Sequence, residues 1–396
     1  MKILYCWELG AGYGHLFRML PITNALVAQG HFVQIAAPDR SHARDVFEPH
    51  GIAVWPAPAQ QAPPRKLVYS LNYAQVLLRA GYWHAESLKE RLLGWIRILE
   101  TSAPDLVLAE HAPTALLAAQ ILGLIRAATG TGFSLPPNQA PMPTIQPWFE
   151  ISPQTLLDAE TRFLESVNPV LQSLGGKSLD QTADIFADAE SFLCTLPELD
   201  HYQPRDTAAY TGPILYSPAS NSPAWPKTRA PRIFMYMLAA NRFFKPLLEA
   251  LNSLDVTVLA CATDLSEAEC AGLSNQHIHI TNLHVNLDEV SESCQLAILQ
   301  GGFNAGAFLL LRGVPLLIIP LHLEQAMWGE RLASQELGGV INLFQPAPDF
   351  RTKILTILKS QETAENVRNF SARYANFETQ QAVQTILNRC NLLRTP

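Results

Sequence analysis

"LGAGYGHLFRMLPITNALVAQGHFVQIAAPDR", Leu9–Arg40, follows almost directly on the apolar run "ILYCW", Ile3–Trp7. Together they read as a strand, a glycine-rich turn, an amphipathic helix and a second strand entered through "GHFV". That is the layout of a βαβ unit that holds a nucleotide. Gly10, Gly12 and Gly14 let the chain turn tightly and let another molecule come close to the backbone. His15 stands next to them, where a plain dinucleotide fingerprint needs only small residues. On these residues alone, His15 either packs against the turn or does acid–base work. Asp39, at the end of the second strand, is placed where an acid could hold a ribose, so a dinucleotide site competes.

Further along, "DLVLAE", Asp105–Glu110, is a third strand after the turn signal "APD". Strands separated by helical patterns predict a parallel sheet covered on both faces. Ser70–Glu100, "SLNYAQVLLRAGYWHAESLKERLLGWIRILE", predicts a long amphipathic helical stretch carrying Tyr73, Tyr82, Trp83, His84 and Trp95. Ser134–Pro147 holds five prolines and is expected as a loop on the surface or over a cleft. A second proline-rich stretch, Gly212–Pro231, reads as a linker. After it the alternation restarts with "RIFMYML", "VTVLACA", "HIHITNL", "LAILQGG", "PLLIIPL" and "GVINL". The expected organisation is therefore α/β, with two Rossmann-like doubly wound domains, 1–215 and 232–396, joined by a linker over 216–231. The ligand site is expected in the cleft between them, at the carboxyl ends of the strands.

Composition narrows the function classes. The net charge of −7 argues against a nucleic-acid binder, which carries a basic stripe. No apolar run reaches the ~18 residues of a membrane span. The N-terminus lacks a small-residue cleavage site, and the six cysteines are scattered without a C-x-x-C pair. Both features predict a cytoplasmic chain with reduced core thiols and no metal on its cysteines. Charged residues make up only 16% of the chain, against roughly a quarter in typical domains, which fits extra core or a greasy binding cleft.

Leu296–Leu343 carries the second signal. A strand runs into Gln300-Gly301-Gly302-Phe303-Asn304-Ala305, then a helix, then Gly313-Val314-Pro315, a strand, and Glu324-Gln325. A glycine turn at a helix N-terminus offers free backbone N–H groups and the positive dipole end to a phosphate. The acid–amide pair just after a strand is placed to bind hydroxyls. Read as plain structure, it begins an exposed helix.

These residues, taken with "FLCTLPELD" and "YTGPIL" before the linker, resemble a family. The whole chain is similar to GT-B glycosyltransferases of the family-1 type, which use nucleotide-diphosphate sugars. The opening "GAGYGH" matches that family's first strand–loop–helix, and "QGGFNAGAFLLLRGVPLLIIPLHLEQ" matches its donor signature. The signature is commonly His-Gly-Gly-x-Gly-Thr-x-x-Glu, followed by an Asp/Glu-Gln pair. The chain departs from it at five places. Gln300 replaces the phosphate-contacting histidine, Asn304 a glycine, Ala305 the threonine or serine, Phe308 the ribose-binding glutamate, and Trp328 an asparagine. The glycines and Glu324-Gln325 remain, so the backbone cradle is kept while the side-chain grip is changed.

The resemblance implies a mechanism. His15 would take the acceptor's proton, oriented by Glu110 where relatives carry aspartate, and the acceptor oxygen would displace the nucleotide diphosphate with inversion. Backbone groups around Gly301 to Ala305 would meet the leaving charge. No metal or other cofactor is implied, and no Asp-x-Asp triplet is present. Donor contacts are expected from Gly12, Gly14, Gln300, Gly301, Gly302, Asn304, Ala305, Glu324 and Gln325. A small or lipophilic acceptor is expected against Tyr73, Tyr82, Trp83, Phe133 and Trp148. His111 would face away from His15 if its strand continued. The segment Val367–Leu393 is expected as a helix crossing back onto the first domain. The competing functions are a non-catalytic sugar-nucleotide or glycan binder, an NAD-dependent oxidoreductase and a sugar-nucleotide epimerase.

Overall fold

The computed structural model describes residues 1–59, 70–205, 210–216, 220–344 and 346–393. Its contacts divide the chain into two compact units, 1–214 with 378–396, and 215–377.

The first unit is built on six parallel strands: β1 Lys2–Trp7, β2 Phe32–Ala37, β3 Ala53–Pro56, β4 Leu106–Glu110, β5 Arg126–Gly130 and β6 Glu190–Leu193. They lie in the order β3-β2-β1-β4-β5-β6. β4 and β5 are buried throughout, as expected of strands covered on both faces. The helices are α1 Tyr13–Ala28, α2 Arg40–Phe47, α3 Tyr73–Leu77, α4 Ala85–Ser102, α5 Pro113–Ile121 and α6 Pro153–Ser173.

The second unit repeats this plan. Strands β7 Arg232–Tyr236, β8 Thr257–Cys261, β9 Ile278–Thr281, β10 Leu296–Leu299, β11 Leu316–Ile318 and β12 Gly338–Val340 take the order β12-β11-β10-β7-β8-β9. Counted from its own first strand, this is the same doubly wound order. Helices α7 Phe244–Asn252, α8 Glu267–Leu273, α9 Leu287–Ser291, α10 Phe303–Leu311, α11 Leu323–Ser334, α12 Phe350–Lys359 and α13 Gln361–Arg373 accompany it. In each unit the strand order reverses beside the first strand, between β1 and β4 and between β7 and β10. A doubly wound sheet opens a crevice for ligands at that point.

Three expectations are corrected in detail. The long helical stretch over Ser70–Glu100 is broken. α3 passes into a wide turn, Leu78–Tyr82, that kinks at Gly81 with φ 98°, and α4 starts afresh with His84 as its cap, accepting from Ser87 N at 3.2 Å. The proline-rich stretch is a loop, as expected, and it is anchored, with Met142 and Ile145 fully buried and Gln146 Nε2 donating to Ser70 O at 2.9 Å. The C-terminal helix is two helices, because the chain breaks between Arg373 and Thr379, and only α14, Thr379–Leu392, joins the first unit. α14 is fastened there by an Arg389–Glu190 ion pair and by Asn391 Nδ2 donating to Gln29 Oε1 at 3.1 Å. His111 also departs from expectation, as described below. All six cysteines are buried free thiols. No helix among the described residues is long and apolar enough to cross a membrane.

Candidate active site

In the first unit the glycine turn after β1 delivers His15 to the first turn of α1, and the end of β4 delivers Glu110 beside it. The His15 Nδ1 lies 2.8 Å from Glu110 Oε1. Glu110 is fully buried, and the His15 side chain is 14% exposed. Thr129 on β5 donates to Glu110 Oε2 at 2.9 Å and is itself 2.7 Å from the Tyr5 hydroxyl. Arg18, one turn after His15 and 5% exposed, donates from Nη1 to the same Oε1 that His15 uses.

Burial by itself would raise the Glu110 carboxyl. The Arg18 guanidinium first, then the bond and charge of His15 and the Thr129 hydroxyl, outweigh that and hold it below the usual carboxylate range. An ionised carboxylate only accepts hydrogen bonds, so the hydrogen in this contact sits on Nδ1 of His15. The Trp7 ring stacks on the imidazole at 5.3 Å and 27° and is anchored by Nε1 donating to Leu9 O at 2.7 Å. Gly10 completes the seat. A Cβ at this position would fall onto His15 Nε2, so the missing side chain is the space the ring occupies.

His111 does not face away. β4 ends at Glu110, and His111 turns to φ 44°, which brings its ring to 6.0 Å from that of His15. It is 8% exposed, its Nε2 has no hydrogen-bond partner, and burial first, with the charge of His15 second, pushes its pKa down to about 3. The ring lies 6.1 Å from Tyr73 and 6.2 Å from Phe133, and Phe133 in turn lies 6.0 Å from His201. Two of the expected acceptor residues, Tyr73 and Phe133, are therefore gathered around His111, whose ring adjoins that of His15. Tyr82 is a core residue, its hydroxyl 2.6 Å from Thr114 Oγ1. Trp83 is 42% exposed with its ring against His84, and Trp148 lies against Phe149, so among the described residues these two rings pair elsewhere than with His111. Asp39 caps α2, with His42 N at 3.1 Å and His42 Nδ1 at 2.5 Å, a structural duty that accounts for an acid there. Gly12 is the N-cap of α1, and Gly12 and Gly14 are both exposed.

Sequence reasoning missed Arg18, Trp7, Thr129 and a second buried acid, Glu8. Glu8 accepts from Thr114 N at 2.8 Å and from the Thr114 hydroxyl, so it closes the N-terminus of α5, with Arg91 3.6 Å away. One signal for Arg18 was present: residues 18, 22 and 26 form an i, i+4, i+8 stripe whose other members, Ile22 and Leu26, are core.

In the second unit, Gln300 follows β10 at the switch point. Its Oε1 accepts from Leu238 N at 3.1 Å, while the buried Nε2 has no partner. Gly301, at φ 101°, brings the turn against Gln325, whose Cβ would be 2.9 Å from an added Cβ. Gly302 caps α10 without a side-chain bond, leaving the first N–H groups of Phe303, Asn304 and Ala305 at the helix end. Asn304 and Ala305 are half-buried. Glu324 stands half-buried in the first turn of α11, and Gln325 Oε1 accepts from Leu321 N at 2.8 Å. Two of the departures have structural occupations. Trp328 is fully buried, 5.4 Å from Phe303, and fills the space over Gly306. Phe308 lies under the Arg312 guanidinium at 3.6 Å, and Arg312 binds Asp288 through Nε at 2.9 Å.

No family model matches the sequence, and no curated protein sequence matches it. Solved structures do match, along essentially the whole chain. SsfS6, a glycosyltransferase of Streptomyces sp. SF2575, is 18% identical over 98% of this chain and 99% of its own, with a TM-score of 0.65. The glycotransferase of kitacinnamycin is 18% identical over 100% and 99%, at 0.70. The spinosyn rhamnosyltransferase SpnG, solved with thymidine diphosphate, is 20% identical over 98% and 100%, at 0.67. At these identities the likeness establishes the fold. The chain is similar over its whole length to these glycosyltransferases, and its two six-stranded Rossmann-like sheets are those of the GT-B fold.

Proposed function

We propose that the protein is a glycosyltransferase that moves a sugar from a nucleotide-diphosphate sugar to a hydroxyl of a small or lipophilic acceptor. Transfer is with inversion and without a metal or other cofactor. The observation that carries this reading is the His15 imidazole held 2.8 Å from a buried Glu110 carboxylate at the switch point of the first sheet. A histidine so fixed is a base for a hydroxyl, which is a poor nucleophile until its proton is taken. His15 Nε2 takes that proton as the oxygen attacks the sugar's anomeric carbon, and Glu110 stabilises the imidazolium. The bond to the diphosphate breaks, and the charge on the leaving phosphate is met by N–H groups around Gly301–Ala305. The Gln300 Nε2 hydrogens add a neutral donor there in place of an imidazole.

In this reading the first unit binds the acceptor and the second the donor, with Gly12 and Gly14 also near the donor and Glu324 and Gln325 on the sugar hydroxyls. The setting is a reducing cytoplasm. Thymidine diphosphate sugars are the first donors to try, since SpnG was solved with that nucleotide. Lipophilic aglycones are the first acceptors, since SpnG was also solved with the spinosyn aglycone.

Calorimetry with thymidine, uridine and guanosine diphosphates, CMP and NAD tests the donor half. Hydrolysis or transfer from the sugar-linked form of whichever nucleotide binds tests the chemistry. Binding of one diphosphate, with turnover by the native chain and a loss of about 100-fold or more in His15→Ala, supports the reading. Binding of NAD alone overturns it. The placement of Phe308 beneath Arg312 favours one second reading, a non-catalytic sugar-nucleotide or glycan-binding relative that has lost the usual donor. It predicts that none of the diphosphates binds to the folded protein.

A further inference from the structure

Glu110 does not serve His15 alone. The oxygen that takes the His15 hydrogen also takes Arg18, and Thr129 occupies the other oxygen. The histidine therefore faces an anion that already has a cation. The remaining titratable groups around the pair come from every neighbouring element. Tyr5 stands on β1, His111 follows β4, Cys194 follows β6, and His201 lies beyond it. Burial holds the Tyr5 hydroxyl and the Cys194 thiol protonated, the latter pushed up to about 11. Burial likewise keeps His111 and His201 neutral, each at about 3. Trp7 and Thr129 carry no charge. Among the described residues, the charges that meet on Oε1 of Glu110 are thus one cation, Arg18, and one anion, the carboxylate itself.

We propose that Arg18 is a positioning residue: by neutralising Glu110 on the oxygen it shares with His15, it keeps the ring hydrogen on Nδ1 and leaves Nε2 unprotonated at neutral pH. Without it, His15 is the counter-ion left to this fully buried carboxylate among the described residues. The pair would then hold a second proton and lose the free lone pair. The charge balance is a property of the fold. Only its consequence for the rate rests on the transferase reading.

The test follows the His15 C2–H resonance of the full chain through a pH titration, the signal being assigned by its disappearance in His15→Asn. Arg18→Met is expected to raise the His15 midpoint by about one to two pH units. Glu110→Gln is expected to lower it by a similar amount. The double variant Arg18→Leu/Glu110→Gln, which leaves no buried charge, should return to within about half a unit of the native midpoint. An unmoved midpoint in folded Arg18→Met overturns the proposal. So does a double variant that titrates with Glu110→Gln alone, and this second comparison decides the matter if Arg18→Met does not fold. In Arg18→Met the acidic limb of kcat/KM should move up with the midpoint. The midpoint shift in a chain that transfers no sugar would uphold the charge balance and remove the transferase reading.

Discussion

Gly10→Ala puts the seat of His15 under direct test. At φ 96° an alanine carries a backbone cost of about 1–3 kcal/mol. Its methyl would also collide with His15 Nε2 and lie 3.0 Å from Cδ2 and 3.2 Å from Cε1. The Trp7 indole covers one face of the ring at 5.3 Å, and clearing the methyl requires a shift that draws the ring off Glu110. Losing that charge-assisted bond adds about 1.5–3 kcal/mol. Gly12→Ala is the natural comparison, since it has φ 77° but an added Cβ that meets nothing within 4 Å. The two share the backbone cost, and the difference isolates the collision. Urea unfolding should show Gly10→Ala less stable than Gly12→Ala by about 2 kcal/mol. Kinetically, Gly10→Ala should lower kcat by about 100-fold through a misplaced base, while Gly12→Ala should act mainly on the KM of the donor. Equal stabilities together with an unchanged kcat in Gly10→Ala would show that the ring is not seated against this glycine.

His111 and His201 make stability depend on pH. Both are neutral in the fold, at about 3, and take up protons near 6.5 once unfolded. The unfolded chain therefore binds more protons between these limits, and stability falls as pH drops from 6.5, by up to about 1.4 kcal/mol per pH unit for each ring. Glu110, held low in the fold, adds a loss of the same sign only below about pH 4.3. Urea titrations from pH 7 to 5 should show this slope, and His111→Phe should remove about half of it. Trp328→Asn, which restores the residue common in relatives, should cost about 3–5 kcal/mol because the indole fills a fully buried site over Gly306. Thermal unfolding measures that loss, and a neutral result would mean the site collapses freely. Phe308→Glu should bring no gain in nucleotide affinity by calorimetry, since the new carboxylate would meet Arg312 first.

How far the fold could be read depended on where the apolar character lay. All six strands of the second sheet coincide with runs such as "RIFMYML" and "LAILQGG", because strands buried on both faces are locally hydrophobic. In the first sheet β5 escaped notice, since "RAATG" is small and polar. Its residues are chosen by neighbours: Thr129 reaches Glu110, and Gly130 leaves room for Ser134. Arg126 spans to Ala187 O at 2.7 Å. β3 and β6 are only four residues each, too short for a periodic signal. The break at Gly81 was visible as a glycine but not as a left-handed one, a conformation that only packing specifies.

The candidate site shows the same division more sharply. His15 and Glu110 were legible because a turn after one strand and the tip of another converge in any doubly wound sheet. Arg18 was not, because an arginine on an amphipathic helix ordinarily faces water. Its burial follows from Glu110: a carboxylate with no solvent access requires a cation, and the helix that presents His15 presents residue 18 one turn later to the same oxygen. The longer glutamate, where relatives carry aspartate, matters here. Its two oxygens hold three donors, on Thr129, Arg18 and His15, from two other elements, β5 and α1. Glu110→Asp would have to retreat by one methylene and could not keep all three. His15 sits 14% exposed and its hydrogen bond to Glu110 reaches Oε1 alone, which Arg18 shares, so it is the partner most easily released. Glu110→Asp should therefore fold but lose kcat by at least about 10-fold, with the His15 midpoint moved away from the native value. Full activity in that variant would mean that the dyad tolerates either acid and that the glutamate answers to Arg18 alone.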